Sequence, residues 1–290
     1  MTIFINNQLL TYDAIPKYPD GAWDFKPLLN NITLQKHNVI RVWCFDMEEF
    51  FKTLMIYKSL YHISRVEIIF EYLVGLRQDK VEGHVPDFAE FLSNILRPEG
   101  EGERFNFTLN VPHSWENYAD YTDTYESLYL ESENFLSGRD NRVLVFPDKT
   151  AYWRWGKGFY ESESHITEKE PHEWPYFTKT RRESDGWITL KAPDFNVQGK
   201  EVLMIDDLLD GGYTAILASE ELRKKGASKV HLHVHHGLFN LGSSYQRISE
   251  KLDTVSCNYY RHNIETGSDI PEGLIVKTKR FKGKLINNGA

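Results

Sequence analysis

Apolar runs rich in β-branched and aromatic residues recur along the chain at Val39 to Phe45, Arg65 to Phe70, Phe105 to Leu109, Arg142 to Phe146, Val202 to Ile205 and Val230 to Val234. Their lengths and flanks predict buried strands. Helical patterns lie between them. Asp46 to Tyr61 has acidic residues in its first turn, and Asp87 and Glu90 have capping-box spacing at the head of Asp87 to Leu96. Thr214 to Lys225 gathers Ile216, Leu217, Leu222 and alanines on one side and stops at Lys224, Lys225 and Gly226, a basic last turn before the residue that best ends a helix. Strand and helix alternating in this way predict an α/β fold with mainly parallel sheets and crossover helices.

A chain of 290 residues is long for one core and suits two α/β units. The turn-like SGRDN, Ser137 to Asn141, is the natural boundary and predicts domains over residues 1–139 and 140–290. Composition is that of an ordinary folded protein, with 41% hydrophobic, 26% charged and 14% aromatic residues. The absence of an apolar run of about 18 residues, and of a basic segment leading into an apolar core at the N-terminus, points to a cytoplasmic protein without a membrane partner. Only Cys44 and Cys257 are present, too few for a disulfide framework. The formal charge of −8 argues against nucleic acid as a partner, because such binding rests on a basic surface. It leaves small polyanions open, which need only a few cations, backbone amides or a metal.

The most informative stretch is VLMIDDLLDGGYTAILASEELRKKGASKVHLHV, a strand entering an acidic, glycine-rich turn, then a helix and another strand. Glycines let backbone approach a phosphate, and a helix N-terminus offers free amides. Thr214 can donate a hydroxyl, and Asp206 and Asp207 can hold ribose hydroxyls or magnesium-bound water. The pattern suits a sugar phosphate.

Here the sequence resembles the ribose-phosphate diphosphokinase family, which has two tandem phosphoribosyltransferase-type domains. Asp206 to Thr214 is similar to its sugar-phosphate motif DDxxDTxGT and is followed by KKGASKV and by HHGLF. LRQDK, Leu76 to Lys80, resembles the ATP-binding ARQD segment, which implies ATP contacts from Arg77, Gln78 and Asp79. His113 in NVPHSW resembles the histidine of DxHS/A at the ATP and metal site. KTRR, Lys179 to Arg182, resembles the KxR flap, which implies that Lys179 and Arg181 close over ATP and meet migrating negative charge. Weaker likenesses are FPD, Phe146 to Asp148, against SPDAGG, where the aspartate lies by the ribose or metal, and YPDG against FxDGE, which implies adenine contacts from Tyr18 and Asp20. Together these cover most of residues 15–240.

The resemblance implies an enzyme using ATP and Mg2+ to place the β,γ-diphosphate of ATP on the anomeric hydroxyl of ribose 5-phosphate, with AMP released. It implies catalytic roles for Lys179, Arg181 and His113, and metal contacts from His113 and Asp148. The sugar phosphate would lie on Asp206, Asp207, Asp210, Gly211, Gly212, Tyr213 and Thr214. A homo-oligomer is implied, because the family's ATP site is completed by a second subunit. There are departures. The TxGT loop is GGYT, Gly211 to Thr214; the aspartate expected before His113 is Val111; the glutamate of FxDGE is Ala22; and AGG is Lys149, Thr150 and Ala151. The open glycine pair beside Tyr213 resembles viral relatives, phage proteins among them, whose DGGxT loops accompany NAD metabolism, some with ADP-ribose as acceptor. A phosphoribosyltransferase consuming the product of such enzymes, and a noncatalytic regulatory homologue, are the alternatives. The first would not need LRQDK, His113 and KTRR in this order.

Overall fold

The computed structural model describes residues 2–11, 15–20, 22–30, 32–61, 64–74, 91–92, 95, 107–110, 122–123, 126–137, 140–153, 174–181, 188–240, 244–261, 270–277 and 284–285. The chain forms two compact units, one of residues 1–124 with 280–290 and one of residues 125–279.

The first unit is built on a seven-stranded sheet. Strands β1 (Thr2–Ile5) and β2 (Gln8–Thr11) form an antiparallel hairpin. Its turn is Asn6 and Asn7, both at positive φ (50° and 65°), the left-handed geometry that asparagine tolerates and a two-residue hairpin requires. β3 (His37–Cys44), β4 (Arg65–Leu73), β5 (Phe107–Asn110) and β6 (Thr122–Asp123) continue the sheet in parallel. After a short α1 (Lys26–Asn30) and β3, helix α2 (Met47–Tyr61) crosses over to β4. Its Phe50, Leu54, Tyr57 and Leu60 are buried at helical spacing, each contributing about 1.5–3 kcal/mol by leaving water. The far end of the chain also belongs to this unit, since β14 (Lys284–Leu285) lies parallel to β2.

At the C-terminal ends of β4 and β5, the buried Glu71 binds Arg41 Nη1 at 2.5 Å and accepts from Asn110 Nδ2 at 2.6 Å. A buried carboxylate needs such partners, and this one joins β3, β4 and β5.

The second unit is a five-stranded, wholly parallel sheet in the order β13 (Leu274–Val276), β12 (Thr254–Tyr260), β11 (Lys229–Gly237), β10 (Glu201–Leu209), β7 (Arg142–Val145). Helix α3 (Glu126–Leu136) packs on β7, β10 and β11. The unit therefore begins at Tyr125, ahead of the SGRDN turn, because this helix covers its sheet. Helix α5 (Tyr213–Lys224) buries Ala215, Ala218 and Leu222 against Val202, Met204, Val230 and Leu232. Short α4 (Lys149–Ala151) follows β7, and α6 (Ser244–Ser249) packs on β12. The strands β8 (Thr178–Arg181) and β9 (Ile188–Lys191) pair as a separate antiparallel ribbon. Cys44 and Cys257 are buried free thiols, and among the described residues no helix is long and apolar enough to cross a membrane.

A ladder of histidines crosses the second sheet. Nδ1 of His231 and of His233 lies 2.8 Å from Thr254 Oγ1 and Ser256 Oγ respectively, and His235 Nδ1 lies 2.9 Å from Asn258 Nδ2. Burial lowers the pKa of all three imidazoles, that of His233 to about 3. Each binds its proton less tightly in the folded chain than after unfolding, when it takes up protons near pH 6.5. Unfolding therefore binds protons below pH 6.5, and stability falls as pH drops through that value. Asp206, whose carboxyl is raised, acts in the opposite sense, but three imidazoles outnumber one carboxyl. Urea midpoints should accordingly be lower at pH 5 than at pH 7, and His233→Leu should reduce this pH dependence; a midpoint that rises on acidification would contradict the assignment.

Candidate active site

Strand β10 carries Asp206 and Asp207 just before its last two residues, Leu208 and Leu209. Asp206 is half-buried and Asp207 is 3% exposed. The Asp207 N–H donates to Asp206 Oδ1 at 3.0 Å. Burial first, then the charge and hydrogen bond of Asp207, then the charge of Asp148, hold the Asp206 carboxyl well above its ordinary range. Like charges in a desolvated place do not all ionise freely.

The turn after β10 leads into α5. Gly212 precedes the helix in the left-handed region at φ 72°, a conformation open to glycine at little cost. A Cβ there would lie 2.1 Å from Ile248 Cδ1, so backbone and space both demand glycine. Tyr213 opens α5 with 40% of its surface exposed, and Thr214 follows, half-buried. Asp210 Oδ1 accepts from the Asn240 N–H at 3.1 Å, and Asn240 Oδ1 accepts from Arg261 at 2.5 Å. The Leu238 N–H donates to Leu209 O at 2.8 Å. The GLF segment after β11 is thus tied to the β10 turn. Asn240 and Arg261 were not singled out from the sequence; their only signal there is that Asn240 directly follows HHGLF.

Asp148 caps α4 by accepting from the Ala151 N–H at 2.8 Å, and its second oxygen lies 3.5 Å from Lys179 Nζ. Lys179 stands in β8, and Arg181, two residues on, pairs with Ile188 of β9. The structure therefore gathers Asp148, Lys179, Asp206 and Asp207 in the second unit, with the turn from Asp210 to Thr214 following β10. It offers carboxyl groups for hydroxyls, a glycine turn at a helix N-terminus for a phosphate, and a lysine for negative charge. Among the described residues, no group of three or more histidine, cysteine, aspartate or glutamate side chains is arranged to hold a metal ion.

Tyr18 and Asp20 belong to the first unit. They lie in a tight turn where the Tyr18 N–H donates to Ala22 O at 2.8 Å and the Ala22 N–H to Asp20 Oδ1 at 3.0 Å. Tyr18 is exposed, and the charge of Asp24 raises its phenol pKa. Arg77, Gln78, Asp79, Val111 and His113 lie outside the described residues.

No family model matches the sequence. The ribose-phosphate pyrophosphokinase of Thermococcus kodakarensis is 35% identical over 195 residues, 67% of this chain and 65% of that one. The protein of the same name from Thermoplasma acidophilum is 37% identical over 98 residues, 34% of each chain. That of Pyrococcus furiosus is 26% identical over 194 residues, 66% of this chain and 65% of its own. The matches thus span less than two thirds of the length of these relatives. In fold, the chain is similar to phosphoribosylpyrophosphate synthetase from Mycobacterium smegmatis, with a TM-score of 0.60 over 80% of this chain and 74% of that one at 20% identity. The expected α/β fold with mainly parallel sheets, of the phosphoribosyltransferase type, is present. By sequence over about two thirds of its length, and by fold, the chain is a relative of the ribose-phosphate pyrophosphokinase family.

Proposed function

We propose that the chain is an ATP-dependent diphosphokinase that transfers the β,γ-diphosphate of ATP to the anomeric hydroxyl of a ribose 5-phosphate unit. The observation that carries this reading is the C-terminal part of β10, where the Asp206–Asp207 pair precedes the turn through the left-handed Gly212 to the N-terminus of α5. The carboxyl groups suit sugar hydroxyls, and the glycine turn suits a 5-phosphate. The likeness to ribose-phosphate pyrophosphokinases supports the same donor and reaction.

In the reaction the anomeric oxygen attacks the β-phosphorus of ATP. A new C1–O–P linkage forms, the bond between the β-phosphorus and the oxygen bridging to the α-phosphate breaks, and AMP leaves. ATP would be bound as its magnesium complex, in which the ion would supply charge neutralisation for the phosphates. Asp206 and Asp207 orient the acceptor through its ring hydroxyls. Lys179, held near the site by Asp148, is placed to move onto the migrating diphosphate, with Arg181 on the same ribbon. Positioning and charge compensation supply most of the acceleration in such transfers. Tyr18, Asp20, Arg77, Gln78, Asp79 and His113 are assigned to ATP, His113 and Asp148 to the metal ion accompanying it, and the working form to a homo-oligomer.

The acceptor is ribose 5-phosphate or a 5-substituted relative such as ADP-ribose, which would connect the enzyme to NAD metabolism. Exposed Tyr213 at the head of α5 favours the larger acceptor, because it puts an aromatic ring where a threonine loop would have none. The direct test incubates ATP and magnesium with each sugar side by side and follows AMP release and product mass. Product from either sugar supports the transfer and names the acceptor; no AMP from either would refute it.

Two variants sharpen the assignment. Lys179→Ala should lower kcat roughly a hundredfold, as removal of a group that stabilises developing charge does, while acceptor binding changes little. Gly212→Ala should cost at least about 1 kcal/mol of stability from the left-handed backbone alone and weaken acceptor binding. Thermal melts and calorimetric titration with the sugar check both parts, and a Gly212→Ala protein with wild-type stability and affinity would show that the turn is not read correctly.

A further inference from the structure

The second unit holds an aromatic group between the Asp148 turn and the ribbon that carries Lys179. Tyr152 stacks on Tyr176, with ring centroids 5.0 Å apart and 25° between the planes. Phe146, wholly buried just after β7, forms an edge-to-face pair with Tyr152 at 5.9 Å. Backbone joins the same two segments. Phe146 and Tyr176 form a parallel bridge in which the Phe146 N–H donates to Pro175 O at 2.9 Å and the Phe177 N–H to Phe146 O at 3.0 Å. Phe177 is itself wholly buried in the core, so it fixes where β8 begins.

These contacts close a circuit beside the proposed site. Asp148 caps α4, and one turn later the Tyr152 N–H donates to Asp148 O at 3.1 Å. Tyr152 stacks on Tyr176, β8 begins two residues on at Thr178, and Lys179 Nζ returns to Asp148 Oδ2 at 3.5 Å. This last link is weak, because both side chains are partly exposed and such pairs contribute little in water. A lysine that turns from Asp148 to a diphosphate also gives it up. The stack and the backbone bridge then hold the root of β8 to the Asp148 turn. Of the two, the stack joins side chains, and aromatic pairs are directional, favouring offset or edge-to-face geometry at about 4.5–7 Å.

We propose that Tyr152 is a positioning residue for Lys179: through its stack on Tyr176 it fixes the direction in which β8 leaves the Asp148 turn, and so the place from which the ammonium group reaches the transferred diphosphate. This rests on the role given to Lys179 in diphosphate transfer. A charged group accelerates such a step when it is in place before the charge develops, and a displacement of about 1 Å can cost about a hundredfold in rate. The ring of Tyr152 carries the effect, not its hydroxyl.

Steady-state kinetics and limited proteolysis of the full chain test this. Tyr152→Leu keeps apolar bulk and removes the stack; it should lower kcat about tenfold, the order of one aromatic pair, and leave the KM of the sugar acceptor unchanged. Tyr152→Phe keeps the ring and should retain wild-type kcat, while Tyr176→Leu breaks the pair from the other side and should match Tyr152→Leu. In a Lys179→Ala background Tyr152→Leu should cost less than about twofold, because a residue that acts through Lys179 has nothing left to position. Trypsin gives a readout independent of activity: cleavage of the native protein after Lys179 or Arg181 should be several times faster in both leucine variants and unchanged in Tyr152→Phe. Thermal melts check that each variant is folded. A folded Tyr152→Leu with wild-type kcat, an equally large loss in the Lys179→Ala background, or cleavage unaffected by either leucine variant would overturn the proposal. Wild-type protein that releases no AMP would instead overturn the diphosphate-transfer reading, and the cleavage rates would then decide alone whether the stack anchors β8.

Discussion

Two adjacent carboxyl groups held below the surface at the end of β10 are the constraint around which the second unit is arranged. Adjacent carboxyl groups in a desolvated place disfavour one another's ionised form. The fold meets that cost with local means. The Asp207 N–H donates to Asp206, Asp206 holds its proton to a higher pH than usual, and the nearby Asp148 is paired with Lys179. On the proposed reading, a sugar with several hydroxyls and a phosphate would supply hydrogen bonds that such a pair can use.

The scaffold keeps these groups in register. Five parallel strands bring their C-terminal ends to one edge, where ligands of open α/β sheets bind. The β10 turn is fastened to the segment after β11 through Leu209 and Leu238 and through Asp210 and Asn240. In the first unit Glu71 performs a similar joining of β3, β4 and β5, and the chain's last described strand returns to pair with β2. Neither unit is therefore a simple half of the sequence.

Much of this was legible in the sequence because it rests on local patterns. The six apolar runs became β3, β4, β5, β7, β10 and β11, and the amphipathic stretches became α2 and α5, within a few residues at their ends. β10 and β11 run to Leu209 and Gly237, beyond the apolar runs. Cross-strand partners such as Asn258 satisfy polar residues that a hydropathy pattern treats as strand ends. The hairpin of β1 and β2 was missed, although the Asn6–Asn7 turn is a local signal for it. What no local pattern shows is long-range pairing: Asn240 with Arg261, Glu71 with Arg41 and Asn110, the histidines with β12, and β14 with β2. The segment Asp87 to Leu96 falls largely outside the described residues.

The central claim is that a diphosphate moves as one unit to the anomeric oxygen. Phosphorus NMR of the protein with magnesium, ATP and the accepted sugar reads this directly. The expected spectrum gains the paired signals of a diphosphate ester on C1 in step with AMP, without ADP. ADP with a sugar monophosphate would place the attack on the γ-phosphorus and contradict it.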